Sequence, residues 1–204
     1  MFPVELNDWL NDMNKICGYS IEEYSYMIEK FHGTLAPGIL IGGFMVDLAM
    51  KKKPKGELFD FLCETATCLP DAIQLLTPCT YGNGWLKVVD VGRFALTMFE
   101  KYTGNGVRVF CDVKQMELYP EIKGWFFKQK IKQQQNKSAL ISEIIEAGHS
   151  ILSTSIVQVD PTLIGKRRRG AIGVCPQCGE AYPAKDGKFC LACQGTILYS
   201  KILS

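Results

Sequence analysis

Cys175-Pro176-Gln177-Cys178-Gly179 and, with eleven residues between the two cysteine pairs, Cys190-Leu191-Ala192-Cys193-Gln194-Gly195 decide the layout of this chain. Two residues between cysteines let one tight turn bring both sulfurs to a single tetrahedral ion, with metal–sulfur bonds of about 2.3 Å. Gly179 and Gly195 stand where such turns call for a left-handed residue. A segment of about 35 residues cannot build an adequate core unaided, so the metal supplies folding free energy, on the order of 10 kcal/mol. Four ligands leave no open position, which marks the site as structural. Zinc is the expected ion, and a rubredoxin-like iron site uses the same four thiolates. The tail therefore reads as a small zinc finger over 171–204, separated by a basic linker, 161–170, from a larger domain over 1–160.

Charge divides in the same place. Residues 161–204 carry seven Lys or Arg against two acids, a balance of +5, which leaves 16 basic against 19 acidic residues, −3, on the body. The overall +2 of the 204-residue chain thus conceals two modules of opposite sign. Lys166, Arg167, Arg168 and Arg169 in the linker could contact phosphates, giving a nucleic-acid-binding alternative. The bland reading, a solvated linker, is preferred, because only Tyr182, Phe189 and Tyr199 are at hand to stack on bases.

Forty-seven per cent hydrophobic and 22% charged residues exclude disorder, collagen and coiled coil as whole-chain descriptions. The longest apolar run, Gly38 to Met50, is interrupted by Asp47 and falls short of the roughly 18–20 residues of a membrane span. The first residues, Met-Phe-Pro-Val-Glu-Leu-Asn-Asp, show neither a basic nor an apolar leader segment. A cytoplasmic protein with no membrane partner is expected. In a reducing compartment its nine cysteines are metal ligands, reactive thiols or buried hydrophobes, not disulfides. Cys17, Cys63 and Cys111 are assigned to the buried class.

In the body, apolar spacing predicts a helix over Asn7–Cys17 and a second opened by Ser20 and Glu23, a capping box, that stops at His32-Gly33. Pro37 starts a buried helix running to Lys53, and Gly42-Gly43 within it implies close approach of another backbone or a ligand. Glu57–Cys63 reads as a strand and Leu69–Leu76 as a helix. Strands follow over Trp85–Val91, Arg93–Glu100 and Val107–Val113, with Asn105-Gly106 as a hairpin signal between the last two. Helices over Pro120–Gln135 and Ser142–His149 and a strand over Ile151–Val159 complete an irregular order. That order points to an α+β class, a mixed helix and antiparallel-sheet core domain.

Three polar segments interrupt the apolar stretches: Phe31–Gly38, Glu64–Gln74 and Thr77–Gly84. His32, Cys68, Asp71 and Cys79 are compatible with one locus, a core pocket that could hold a metal or a reactive thiolate. Cys68 precedes a helix, whose N-terminus favours the thiolate, and Asp71 in the first turn suits the same dipole.

Together these segments resemble the E-subunit family of formylmethanofuran dehydrogenase. The resemblance rests on His32 to Gly38, on Glu64 to Gly84 with its Glu-(x)3-Cys-(x)2-Asp-Ala-Ile-Gln order, and on Asp90 to Thr97. The Cys-Pro-x-Cys-Gly-Glu opening of the tail is similar to the treble-clef finger that some members append. The resemblance implies an α+β core, a homodimer, and an accessory place beside a molybdenum or tungsten dehydrogenase whose pterin-bearing catalytic subunit is a different protein. That link would be methanogenesis-related. The family pattern His-Gly-His-x-Cys-Pro-Gly has Thr34 and Ala36 here in place of the second His and the Cys, and Pro78 replaces a Gly. A second metal in the core would then rely on His32 and Cys68, with Cys79 or Cys63 and water completing the set and Asp71 and Gln74 as outer orienters. An accessory or interaction protein is the leading reading, and a stand-alone metalloenzyme is a further alternative.

Overall fold

The computed structural model describes residues 15–129, 131–165 and 170–196. The chain divides into two units, Met1–Gly165 and Lys166–Ser204. The helix expected over Asn7–Cys17 lies outside the described residues except at its end. There Lys15–Ile16 is a short strand, β1, paired antiparallel with β2, Tyr19–Ser20. Cys17 and Gly18, at φ 51° and 88°, make the turn between them.

Helix α1, Ile21–His32, begins as its capping box dictates: Ser20 Oγ accepts from Glu23 N–H at 3.2 Å, and the Glu23 carboxylate accepts from Ser20 N–H at 2.8 Å. Gly33 ends it in the left-handed region, φ 85°, with its N–H on the Glu29 carbonyl. Tyr24 and Ile28 face inward, whereas Phe31, one turn further on, stays 54% exposed.

Helix α2, Pro37–Lys51, is buried along nearly its whole length and packs on α1 and on the central sheet. Its two glycines allow that depth. A Cβ on Gly42 would stand 2.7 Å from the Ala72 Cβ, and one on Gly43 would enter the ring of Tyr24.

The sheet is built from β3 (Phe59–Cys63), β4 (Leu86–Val88), β5 (Ala95–Glu100), β6 (Asn105–Cys111) and β7 (Leu152–Gln158), in the spatial order β4-β3-β5-β6-β7. It is not wholly antiparallel as expected: β4 runs parallel to β3. Helix α3, Leu69–Leu76, lies in the connection between them and returns the chain for a strand in the same direction. The turn between β5 and β6 also differs from the Asn105-Gly106 expectation, because Glu100 organises it earlier. Its carboxylate accepts from Tyr102 N–H at 3.0 Å and from Thr103 N–H and hydroxyl at 2.7 and 2.8 Å, and Gly104 closes the turn at φ 74°.

Between β6 and β7 come α4, Pro120–Phe126, and α5, Lys137–Ala147. Helix α4 is shorter than the Pro120–Gln135 expected. Past Phe127 the Lys/Gln-rich run offers no apolar stripe to bury, and Lys128 turns the chain at φ 52°. Asn136 caps α5 through Ala139 N–H, starting it five residues before the expected Ser142. Residues 161–165, expected in the linker, belong to the first unit. Asp160 caps a short turn over Pro161–Leu163, and Val159 N–H donates to the Gly104 carbonyl at 2.9 Å.

The second unit holds a two-stranded antiparallel ribbon, β8 (Ile172–Val174) and β9 (Ala181–Pro183). Gln194 braces it by donating from Nε2 to the carbonyls of Asp186 and Phe189 at 2.7 and 2.5 Å.

Candidate functional site

The ribbon leads directly into Cys175, whose N–H donates to the Glu180 carbonyl at 2.8 Å. Gly179, at φ 75°, sends its N–H back to the Cys175 carbonyl, also at 2.8 Å, and so folds the first Cys-x-x-Cys turn. In the second turn Gln194 N–H donates to the Cys190 carbonyl at 3.0 Å, and Gly195 follows at φ 109°. The two turns bring the sulfurs of Cys175, Cys178, Cys190 and Cys193 within 4.8 Å of one another. Cys178 and Cys190 stand 3.8 Å apart, and Cys190 N–H donates to the Cys175 sulfur at 3.5 Å.

The electrostatics of the cluster call for a cation. The N–H groups of Cys190 and Cys178 pull the Cys175 thiol well below its usual range. The neighbouring sulfur of Cys190 pushes the Cys193 thiol up. The Cys175 thiolate forms readily and Cys193 resists, and a dication among the sulfurs would offset that resistance. Four sulfurs at this spacing fit zinc, and they leave it no position for substrate.

In the core the expected pocket residues divide between the two ends of α3, with Cys68, Asp71 and His32 at its start and Cys79 beyond its far end. Asp71, in the first turn of α3, meets His32, the last residue of α1, with 2.9 Å between Oδ2 and Nδ1. Cys68 caps α3 with a left-handed backbone, φ 56°. It is pressed close to α2: a Cβ on Gly38 would lie 2.9 Å from the Cys68 Cβ and 3.0 Å from its sulfur. The expected lowering of its thiol by the helix N-terminus is not found. Burial, followed by the charge of Asp71, moves the thiol up instead.

Cys79 lies elsewhere. Its buried sulfur donates to the Phe59 carbonyl at 3.5 Å and borders a separate apolar cavity of about 250 Å³ with Trp85 and Met98. Eight residues of α3 span about 12 Å, so residues flanking its opposite ends cannot share one ion. Gln74 also has a different task, accepting from Tyr81 N–H at 3.2 Å and pinning the 77–84 loop. Among the described residues, the four tail cysteines are the group of three or more potential metal ligands whose donor atoms converge. Cys63 and Cys111 are buried as expected, and half-buried Cys17 sets its sulfur 3.6 Å from that of Met50. Lys166, Arg167, Arg168 and Arg169 lie outside the described residues.

Sequence reasoning missed a concavity of the core domain. A cavity of about 700 Å³ opens beside Cys68, between the 65–68 turn, strands β5 and β6, and α4. Phe94, Phe110, Trp125 and Phe126 supply its aromatic walls, and Arg93, Arg108 and Lys128 its charge. Behind it sits Glu64, 6% exposed, which takes both guanidiniums. Arg108 Nε and Nη2 donate to its two oxygens at 2.6 and 3.0 Å, and Arg93 Nε lies 2.7 Å from Oε2. Burial alone would raise the Glu64 carboxyl, but the hydrogen bonds and charge of Arg108, and then Arg93, outweigh it and hold it low. The signal available in the sequence was a lone acid, Glu64, following an apolar strand.

Comparison with known proteins places these features. Residues 31–159 match the family model described as "FmdE, Molybdenum formylmethanofuran dehydrogenase operon", and residues 166–200 match "FmdE treble clef zinc finger". A solved structure of a tungsten formylmethanofuran dehydrogenase FmdE-like protein from Syntrophus aciditrophicus is 54% identical. It superposes with a TM-score of 0.83, over 91% of this chain and 98% of that one. A "Probable S-adenosyl-L-methionine-binding protein" from Archaeoglobus fulgidus is 28% identical over 82% of this chain. This chain spans 51% of that relative's length.

Proposed function

The chain belongs to the FmdE family, and on that premise we propose that it is a zinc-binding accessory protein whose core cavity receives a small ligand. The observation that carries the reading is the pairing of a closed four-sulfur centre with a large aromatic cavity that lacks an activated nucleophile. The zinc centre, with every position filled, serves folding and surface presentation. Cys68 at the cavity is held as a thiol, and the His32 ring is turned onto Asp71. Such a site suits binding better than turnover. About 700 Å³ lies within the range of small-molecule pockets, roughly 300–1,000 Å³. In this reading the protein acts in the cytoplasm as a homodimer beside a molybdenum or tungsten dehydrogenase, whose chemistry resides in another polypeptide.

Elemental analysis of full-length protein prepared without chelator tests the zinc half. One equivalent of zinc per chain, lost in Cys178→Ser, is expected, and a chain without bound zinc or iron would sink it. A second equivalent that disappears in both His32→Ala and Cys68→Ser would move the core from ligand binding to metal chemistry. Light scattering of the same sample reads the dimer directly.

A further inference from the structure

We propose that the cavity beside Cys68 is selective for an organic anion of nucleotide size that carries a flat heteroaromatic ring. The proposal rests on the ligand role just proposed and specifies the ligand's chemistry. Three observations support it, and the first is charge. Three cationic side chains, Arg93, Arg108 and Lys128, border the cavity, and no acidic residue is among its lining. Glu64 behind it balances one of them. Arg108 spends Nε and Nη2 on Glu64, and Arg93 spends Nε, so among the described residues the other nitrogens of both forks remain to donate. Lys128 forms no ion pair among the described residues. The wall therefore carries a surplus of about two positive charges in a partly enclosed space, where attraction for an anion is stronger than in open water.

The second observation is the walls. Phe94 meets Phe126 edge to face at 6.0 Å between centroids, and Trp125 meets Phe126 at 6.2 Å. Arg108 lies over the ring of Phe110 at 4.9 Å. Ring faces and a guanidinium plane accept a flat heterocycle, and Thr65 and Thr67, whose hydroxyls are 3.0 Å apart, line the same cavity. The third is backbone strain. Cys17, Cys68 and Lys128 are the described non-glycine residues with positive φ, and two of them line this cavity. Side chains rarely tolerate that conformation, and at Lys128 it places an ammonium at the cavity rim instead of continuing α4.

The charge surplus separates this ligand class from cationic ones. S-adenosyl-L-methionine, named for the longer Archaeoglobus relative, carries a sulfonium and an ammonium against one carboxylate and is disfavoured here. The test is equilibrium binding of AMP, adenosine and S-adenosyl-L-methionine to the full-length zinc-loaded protein at low salt, followed by calorimetry. AMP is expected to bind at least about tenfold more tightly than either other probe, the worth of one charge-assisted hydrogen bond. Lys128→Ala and Arg93→Ala are each expected to weaken AMP by a similar factor and to leave adenosine unchanged. Both side chains are at the surface, and an unaltered melting temperature verifies that each variant folds. Adenosine or S-adenosyl-L-methionine binding as tightly as AMP, or AMP binding unmoved in both variants, overturns the selectivity and leaves the cavity a ligand site. Failure of all three probes to bind overturns the ligand role as well.

Discussion

At the scale of single residues, Asp47 and Glu64 are two of the buried carboxylates of the core domain, and both act through pairing. Asp47 on α2, 4% exposed, accepts from Cys17 N–H at 2.9 Å, and its Oδ2 lies 2.7 Å from His149 Nε2 and 2.8 Å from Lys51 Nζ. Burial pushes its pKa up, but the His149, Lys51 and Cys17 contacts together leave it below the ordinary 3.8. Glu64 is likewise held below 4.5. Each group binds a proton more readily in the unfolded chain. The stability each contributes is therefore full above about pH 5 and is lost as pH falls through its folded-state pKa. Denaturant melts between pH 6 and pH 3 should show that loss below about pH 4. Glu64→Ala leaves Arg108 half-buried without its partner and should cost about 3–5 kcal/mol, with the acid dependence reduced. The presence of Asp47 and Glu64 inside apolar runs is visible in the sequence. Lys51, one helical turn on, is legible as a partner of Asp47, but the others, Cys17 and His149 for Asp47, 30 and 102 residues away, and Arg93 and Arg108 for Glu64, 29 and 44 away, are not, because only the sheet and the α2 packing bring them together.

At the scale of elements, local chemistry is legible wherever one residue type dictates the backbone. Ser20 with Glu23, Gly33, and Pro37 mark ends that recur unchanged in the fold. The Gly42-Gly43 pair implies a close approach, and the fold supplies both neighbours: Ala72 of α3 and Tyr24 of α1. Alanine at either position gains about 1 kcal/mol of helix propensity. At Gly43 the clash dominates, because the Tyr24 ring is fully buried and its hydroxyl donates to the Ile39 carbonyl at 3.0 Å. Gly43→Ala should destabilise by about 1–3 kcal/mol net, measured by urea unfolding. A neutral or stabilising result would mean that α1 shifts on α2 at little cost. The weaker signals failed for physical reasons. Asn105-Gly106 lost the turn to the Glu100 carboxylate, which satisfies three donors at once. The α4 helix stopped where no apolar face remained to be covered.

At the scale of the whole molecule, the chain is two units with different sources of stability. The first rests on a continuous apolar core reaching from Ile16 to Leu152. The second has little buried apolar surface and depends on its four sulfurs and their metal. Cys178→Ser in the full chain should abolish zinc binding and make the tail protease-sensitive, while the main thermal transition stays within a few degrees. A collapse of that transition would show that the two units stabilise each other. The sequence by itself determined the metal centre, because a Cys-x-x-Cys turn sets its ligand geometry within a few residues. It determined the ends of α1 and the start of α2 for the same local reason. Only the tertiary structure decided the core site. It parted Cys68 from Cys79 by the length of α3, turned His32 onto Asp71, and assembled Glu64, Arg93, Arg108 and Lys128 around one cavity. Those residues are distant in the chain, and their juxtaposition follows from strand order and register, which no short stretch of sequence encodes.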